Sequence, residues 1–278
     1  MTLAFTKMHG CGNDFVVIDA TSQPFVPTPA LLHKLTDRRF GVGCDQVLVV
    51  QAASAPDVDF DYRIFNADGS EVGQCGNGSR ALARFVRAQG LSDKSMLTVQ
   101  TRTTRMTLSL LPGGLVQVNM GVPRFAPADI PLALPAAARY TLAVQDFGTI
   151  EFGVANFGNP HAVVLVADVD AAAVEPLGKA LQARAEFPES VNVGFLQILS
   201  PERARLRVYE RGAGETLACG SGACAAFVVA QRAGLLGRFA TLELRGGALT
   251  LEWPGEGQPV QMTGPAETVY TGTLEWPS

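Results

Sequence analysis

The stretch "QCGNGSRALARFV" at residues 74–86 returns in altered form as "ACGSGACAAFVVA" at 218–230, so one chain carries Cys-Gly-x-Gly twice. Each time the motif opens a run that reads as a helix. Cys219 follows Cys75 by 144 positions, and at that offset 63–91 can be laid over 207–235. Arg63/Arg207, Glu71/Glu215, Cys75/Cys219, Gly76/Gly220, Gly78/Gly222, Ala81/Ala225, Gly90/Gly234 and Leu91/Leu235 then agree, where ordinary composition would give about two matches. The upstream pieces "DYRIFN" and "RLRVYE" both alternate apolar with polar residues, as a half-buried strand does. Each copy therefore runs strand, Gly-rich loop, Cys-Gly-x-Gly, helix, Gly-Leu. Two copies at so long a period indicate a duplication into two large halves, not a solenoid.

Outside the repeat the chain reads mostly as strands: 3–8, 14–19, 46–51, 96–101, 104–111, 114–120, 140–146, 149–155, 161–166, 193–199, 240–245 and 247–253. "PGG" at 112–114 and "RGG" at 245–247 mark turns between some of them. Helices are expected near 28–38, 78–89, 171–184 and 222–233. Strands in runs with occasional helices predict an α+β fold. The helix after Cys219 is apolar nearly all round until Gln231, so it should be buried on every side, as inside a sheet that curls around it. The Pro/Ala-rich stretch 123–138 reads as the linker between halves.

The 278 residues are 47% hydrophobic and 17% charged, with net charge −4, which suits a compact globular enzyme. No Lys/Arg run offers the electrostatic footprint of a nucleic-acid partner. No window has the length of apolar sequence needed to span a bilayer, and "MTLAFTKMHG" does not read as a signal peptide. The cysteines stand at 11, 44, 75, 219 and 224. An odd count in a chain of this size argues against a disulfide framework and for cytosolic thiols. Without CxxC or HExxH, and with three histidines far apart, no metal is expected.

A Cys just before Gly-x-Gly at a helix start meets unpaired backbone N–H groups and the positive end of the helix dipole, which favours thiolate. The glycines let a ligand approach the backbone, and the exposed N–H groups suit a carboxylate. Each half thus offers an acid–base thiol beside an anion cradle. If the halves face one another, one thiolate can remove the α-proton of an amino acid while the opposite thiol protonates the other face, inverting the centre. Carboxylate N–H contacts would stabilise the carbanion. Cys11, Cys44 and Cys224 read as small buried hydrophobes.

The segments "MHGCGNDFVVID" (8–19), "GVGCDQ" (41–46), "FNADGSEVGQCGNG" (65–78), "FGNPHAV" (157–163), "VNVGF" (191–195) and "YERGAGETLACGSGACA" (209–225) together resemble the diaminopimelate epimerase family. The resemblance implies two pseudo-symmetric halves, each a barrel-like, mostly antiparallel sheet around a central helix, with the active site in the cleft between them. It places 1–120 plus 265–278 in the N-terminal half and 121–264 in the C-terminal half. It implies interconversion of LL- and meso-2,6-diaminopimelate without cofactor or metal, in a cytoplasmic homodimer supplying lysine and peptidoglycan precursors. Cys75 and Cys219 match the catalytic thiols, and His161 and Glu210 match residues that assist them. Gly76, Asn77, Gly220 and Ser221 match the cradle of the reacting-end carboxylate. Asn13, Gln46, Asn66, Asn159, Asn192 and Arg211, with Glu210, match positions that hold the remaining substrate groups. Where the family usually reads Thr-x-x-Gly, this chain has "TRTTRM" at 101–106.

Three other readings fit parts of the pattern. A proline or hydroxyproline racemase would use the paired cysteines, but the Asn/Arg set speaks for a substrate with a second polar end. A thiol redox sensor explains the cysteines without "GNPH" or "ERGAGET". A binding protein for amino acids needs the cradles and has no use for two thiols.

Overall fold

The structure is a computed structural model and describes residues 2–73 and 75–276. The chain divides into two compact units, one running to Asn119 and resuming at Thr263, the other formed by Met120–Met262. The fold class is α+β, with mostly antiparallel strands and four α-helices among the described residues.

In order along the chain, the first unit contains β1 (Thr2–Gly10), β2 (Asn13–Asp19), α1 (Pro29–Thr36), β3 (Gln46–Ala52), β4 (Phe60–Asn66), β5 (Glu71–Val72), α2 (Gly76–Ala88), β6 (Met96–Gln100), β7 (Arg105–Leu110) and β8 (Leu115–Asn119). The second contains β9 (Tyr140–Val144), β10 (Gly148–Asn156), β11 (Pro160–Leu165), α3 (Val174–Gln182), β12 (Asn192–Ser200), β13 (Arg203–Glu210), β14 (Gly214–Thr216), α4 (Gly220–Arg232), β15 (Phe239–Leu244) and β16 (Gly247–Glu252). β17 (Gln261–Pro265) follows, and β18 (Glu267–Glu275) pairs antiparallel with β1.

The pairing pattern occurs twice. β1/β2 and β10/β11 are antiparallel, β2/β3 and β11/β12 parallel, β3/β4 and β12/β13 antiparallel. β4 and β13 each then carry a short antiparallel partner, β5 or β14, and a parallel one, β6 or β15. α2 packs against β1, β2, β3, β7, β8 and β18, and α4 against β10, β11, β12, β13, β15 and β16, so each helix is lined by strands of its own unit. From Gly222 to Ala230 only Val229 escapes full burial, as the all-round apolar pattern predicts.

The matched residues explain why the two copies fold alike. Arg63 grips Glu71 through Nε (3.0 Å) and Nη2 (2.8 Å), and Arg207 grips Glu215 in the same two-pronged way (2.7 and 2.9 Å). Each pair ties a long strand to the short strand beside it. Gly90 and Gly234 take positive φ (67° and 72°), where a side chain would be strained. This turn lets the Leu91 N–H reach the Val86 carbonyl and the Leu235 N–H reach that of Ala230, closing both helices with a Schellman-type stop.

Two local expectations change. Residues 123–138 are no linker: Ile130 and Leu132 are buried in the second unit's core with Tyr140, Phe152 and Phe187. A stretch that contributes buried aliphatic side chains, each worth about 1.5–3 kcal/mol, is held by its unit despite its prolines. At 101–104 the missing glycine is not needed, because the Thr101 hydroxyl accepts from Thr104 N–H (3.1 Å) and donates to its carbonyl (2.9 Å). No residue there requires a left-handed backbone.

Candidate active site

In the first unit, strand direction decides which residues gather. β2 and β3 are parallel, with Phe15 opposite Gln46, so their first residues, Asn13 and Gln46, lie at one end of the sheet. β4 runs the other way, with its last residue, Asn66, opposite Gln46. Gln46 Nε2 donates to Asn66 Oδ1 (2.9 Å), while the buried Gln46 Oε1 has no hydrogen-bond partner, leaving an acceptor of the kind that an ammonium group seeks. Asn77 Nδ2 donates to Asn13 Oδ1 (3.3 Å), which links β2 to the start of α2. Cys75 is the N-cap residue of that helix, half-buried, and its sulfur accepts from Gly78 N–H at 3.3 Å. Gly76 and Asn77 form the helix's first two positions.

The second unit builds the same end from β11, β12, β13 and α4. Here Asn192 stands opposite His161 in the parallel pair, as Gln46 stands opposite Phe15. His161 Nε2 lies 3.0 Å from both Asn159 Oδ1 and Ser221 Oγ, and its Nδ1 is buried without a partner. Burial, aided by the positive charge of Arg211, pushes the imidazole down to about 3, so the ring is neutral at working pH. A neutral ring with Nδ1 unpaired carries its proton on Nε2, a tautomer inferred from the hydrogen-bond network.

Asn192 donates to the Pro160 carbonyl (2.9 Å) and accepts from Arg211 N–H (2.9 Å), while Arg211 Nη1 donates to the Glu189 carbonyl (2.8 Å). Glu210 ends β13 and takes the Cys219 thiol on Oε2 at 3.0 Å. Cys219 caps α4, Gly220 and Ser221 begin it, and Ser221 Oγ lies 3.6 Å from the sulfur.

One expectation needs correction. A helix start was expected to favour thiolate, yet the Cys219 thiol is pushed well above its ordinary range. Burial is the largest cause, followed by the charge of Glu210 and its hydrogen bond; Ser221 and the Gly222 N–H act the other way and lose. Cys219 is therefore a protonated donor facing a carboxylate. The remaining cysteines, 11, 44 and 224, are buried, and desolvation raises Cys11 and takes Cys44 to about 12. Among the described residues, no group of three or more His, Cys, Asp or Glu is placed to hold a metal ion. None of the helices described is long and apolar enough to cross a membrane.

Two contacts were not singled out from the sequence. Asp45 Oδ2 accepts from Asn13 Nδ2 (2.8 Å), and Asp45 and Asp14 share Arg38 in an ion-pair cluster that Lys7 completes. Thr216 Oγ1 donates to Glu210 Oε1 at 2.5 Å. Both lie inside quoted motifs, "GVGCDQ" and "ERGAGET", but side-chain polarity alone does not say which neighbour a residue faces.

The sequence profile of diaminopimelate epimerase matches residues 5–126 and 153–269. The chain belongs to the diaminopimelate epimerase family. It is 52% identical over 276 residues to diaminopimelate epimerases of Coxiella burnetii, for example those of strains RSA 493 and CbuG_Q212, covering 99% of this chain and 99% of each relative. Solved structures of lower identity share the fold. A hydroxyproline epimerase from Agrobacterium vitis superposes with TM-score 0.73 at 16% identity, covering 98% of this chain and 92% of the other. A PhzF-family phenazine biosynthesis protein from Bacillus anthracis gives 0.70 at 14% identity, over 99% and 100% of the two chains. The match to the family members from Coxiella burnetii thus runs along nearly the whole chain.

For His161 an observable consequence follows. Its folded value lies below the ordinary 6.5, so between pH 6.5 and about 3 the unfolded chain binds a proton that the folded chain refuses. This group makes no demand above pH 6.5, and its contribution to stability is lost progressively as pH falls through that window. Histidine NMR titration should show one ring that stays neutral down to pH 5. A His161 ring that protonates near 6.5 would overturn the assignment.

Proposed function

We propose that this chain is an isomerase that interconverts LL- and meso-2,6-diaminopimelate without a cofactor, in the cytoplasm and as a homodimer, for lysine and peptidoglycan synthesis. The observation that carries the reading is full-length 52% identity to proteins named for that activity, combined with a protonated Cys219 held on Glu210. Cys75, whose sulfur accepts from a helix N–H, is the base in the resting protein. It removes the α-proton while the Cys219 S–H delivers its proton to the opposite face. This leaves Cys75 as the thiol and Cys219 as the thiolate, ready for the reverse reaction, and proton exchange with solvent resets the pair for another turnover in the same direction. Gly76, Asn77, Gly220 and Ser221 hold the carboxylate on which carbanion charge develops. Asn13, Gln46, Asn66, Asn159, Asn192 and Arg211 bind the other amino and carboxylate groups, Arg211 by a two-pronged grip, so that one stereocentre alone reaches the thiols. His161 stays neutral and, through Ser221, orients the groups around Cys219.

The test is proton NMR of LL-diaminopimelate in D₂O with reduced protein, with L-proline run in parallel. Loss of one α-proton signal and appearance of the meso isomer, with proline unchanged, is the expected result. Exchange of proline alone would move the chain to the racemase reading, and no exchange with either would end the two-thiol proposal.

A further inference from the structure

The Glu210 carboxylate is held by two donors at once. Cys219 Sγ meets Oε2 at 3.0 Å and Thr216 Oγ1 meets Oε1 at 2.5 Å, so each oxygen has its own partner. A carboxylate bound this way cannot turn Oε2 off the sulfur without breaking a charge-assisted hydrogen bond on the other side. The neighbouring acid, Glu215, does not compete for these donors, because Arg207 and Arg245 hold it. The other groups around the thiol are Ser221 on its own helix and, behind that serine, neutral His161 from β11, whose ring feels the charge of Arg211.

The first copy of the repeat supplies the control. Val208 faces Thr216 in the second unit as Ile64 faces Val72 in the first, so the register of the two hairpins is the same. Position 72 is valine, position 66 is asparagine in place of Glu210, and the Arg–Glu clasp between the strands is kept in both copies. The hairpin therefore forms without a hydroxyl or a carboxylate at these places. Only the Cys219 side has acquired the pair.

We infer that Thr216 is a positioning residue of the reaction: its hydroxyl fixes Glu210 so that the carboxylate receives the Cys219 thiol. The inference rests on the proposed two-thiol function. Thr216 transfers no proton. During turnover the Cys219 S–H bond breaks as the new bond to the α-carbon forms, the proton from the other face goes to Cys75, and Glu210 and Thr216 keep their protonation.

The experiment compares wild type, Thr216→Val and Thr216→Ser by two readouts: epimerisation kinetics, and the pH midpoint of Cys219 alkylation by iodoacetamide, followed by peptide mass spectrometry. Valine has nearly the shape of threonine and is the residue found in the first copy. Thr216→Val should lower kcat by about 10- to 100-fold with KM held within about threefold, as loss of an oriented acid–base group does. Its Cys219 midpoint should move down, because a carboxylate free to turn away no longer opposes ionisation of the thiol. Thr216→Ser should restore both. Wild-type kcat and midpoint in Thr216→Val, a loss confined to KM, or equal impairment in the two variants would overturn the inference. Failure of the functional reading looks different: wild type itself would not epimerise, while a shifted midpoint in Thr216→Val would still support the Thr216–Glu210–Cys219 arrangement.

Discussion

Cys219→Ala abolishes measurable epimerisation, and Cys75→Ala does the same, each lowering turnover by at least about 10⁴-fold. The expectation follows from the chemistry of inversion. One face of the α-carbon loses a proton as the other gains one, and in the proposed mechanism each thiol serves one face alone. The variants should also reveal which face each thiol serves. In Cys219→Ala the remaining Cys75 can still take a proton from the isomer that presents its α-hydrogen to it, exchange that proton with D₂O, and return deuterium to the same face. One isomer alone should thus take up deuterium with retention, and Cys75→Ala should show the same behaviour with the other isomer. Serine is a poor substitute because an alcohol gives up its proton far less readily than a thiol. Epimerisation at the wild-type rate in either alanine variant would remove that cysteine from the mechanism.

Arg80→Met lowers stability by about 3–5 kcal/mol, the scale for disrupting a buried charged group and its partners. Arg80 lies in the middle of α2, has no solvent exposure and donates through Nε to the Pro265 carbonyl (3.1 Å). Its Nη2 lies 3.8 Å from Cys11 Sγ and would lie 3.2 Å from a Cβ placed on Gly10. The guanidinium therefore joins α2 to the β1–β2 turn and to the end of β17. Methionine fills some of the volume and leaves the carbonyl without its donor. Lysine should recover little, since one ammonium cannot reproduce a planar fork of donors. Urea denaturation of Arg80→Met and Arg80→Lys checks this; a midpoint within experimental error of wild type in the methionine variant would refute it.

Sequence identities disclosed the duplication over 63–91 and 207–235, where glycine turns, the Arg–Glu clasp and the Cys-Gly-x-Gly starts constrain residue type. The copy is in fact larger. Asn13, Phe15 and Gln46 correspond to Asn159, His161 and Asn192 at an offset of 146, not 144, because fewer residues separate β12 from β13 than β3 from β4. That change of offset hides the upstream half from a fixed overlay, and strand residues there are interchangeable apolar side chains. The short strands β5 and β14 were also invisible, since two or three residues carry no readable period. β18 was missed for another reason: Thr268, Val269, Tyr270 and Thr271 are all exposed, so its burial does not alternate as a half-buried strand's does. At the site, the sequence pointed to Glu210 and to a thiolate facing a thiol, but not to Cys219 as the protonated one. That state depends on how deeply the sulfur is buried and on the carboxylate at its side, and neither is encoded in the local string.

The pairing of β18 with β1 sets an order for synthesis. When a ribosome has made residues 1–262, every residue of the second unit has been added to the chain, yet β1 still lacks the strand that lines it from Thr2 to His9. The unit begun first is thus the one completed last. Until β18 emerges, β1 offers an open edge beside Leu3 and Phe5, side chains that are buried in the finished protein. Nascent chains stalled after the second unit should therefore be the species that chaperones hold and that aggregates when they are scarce.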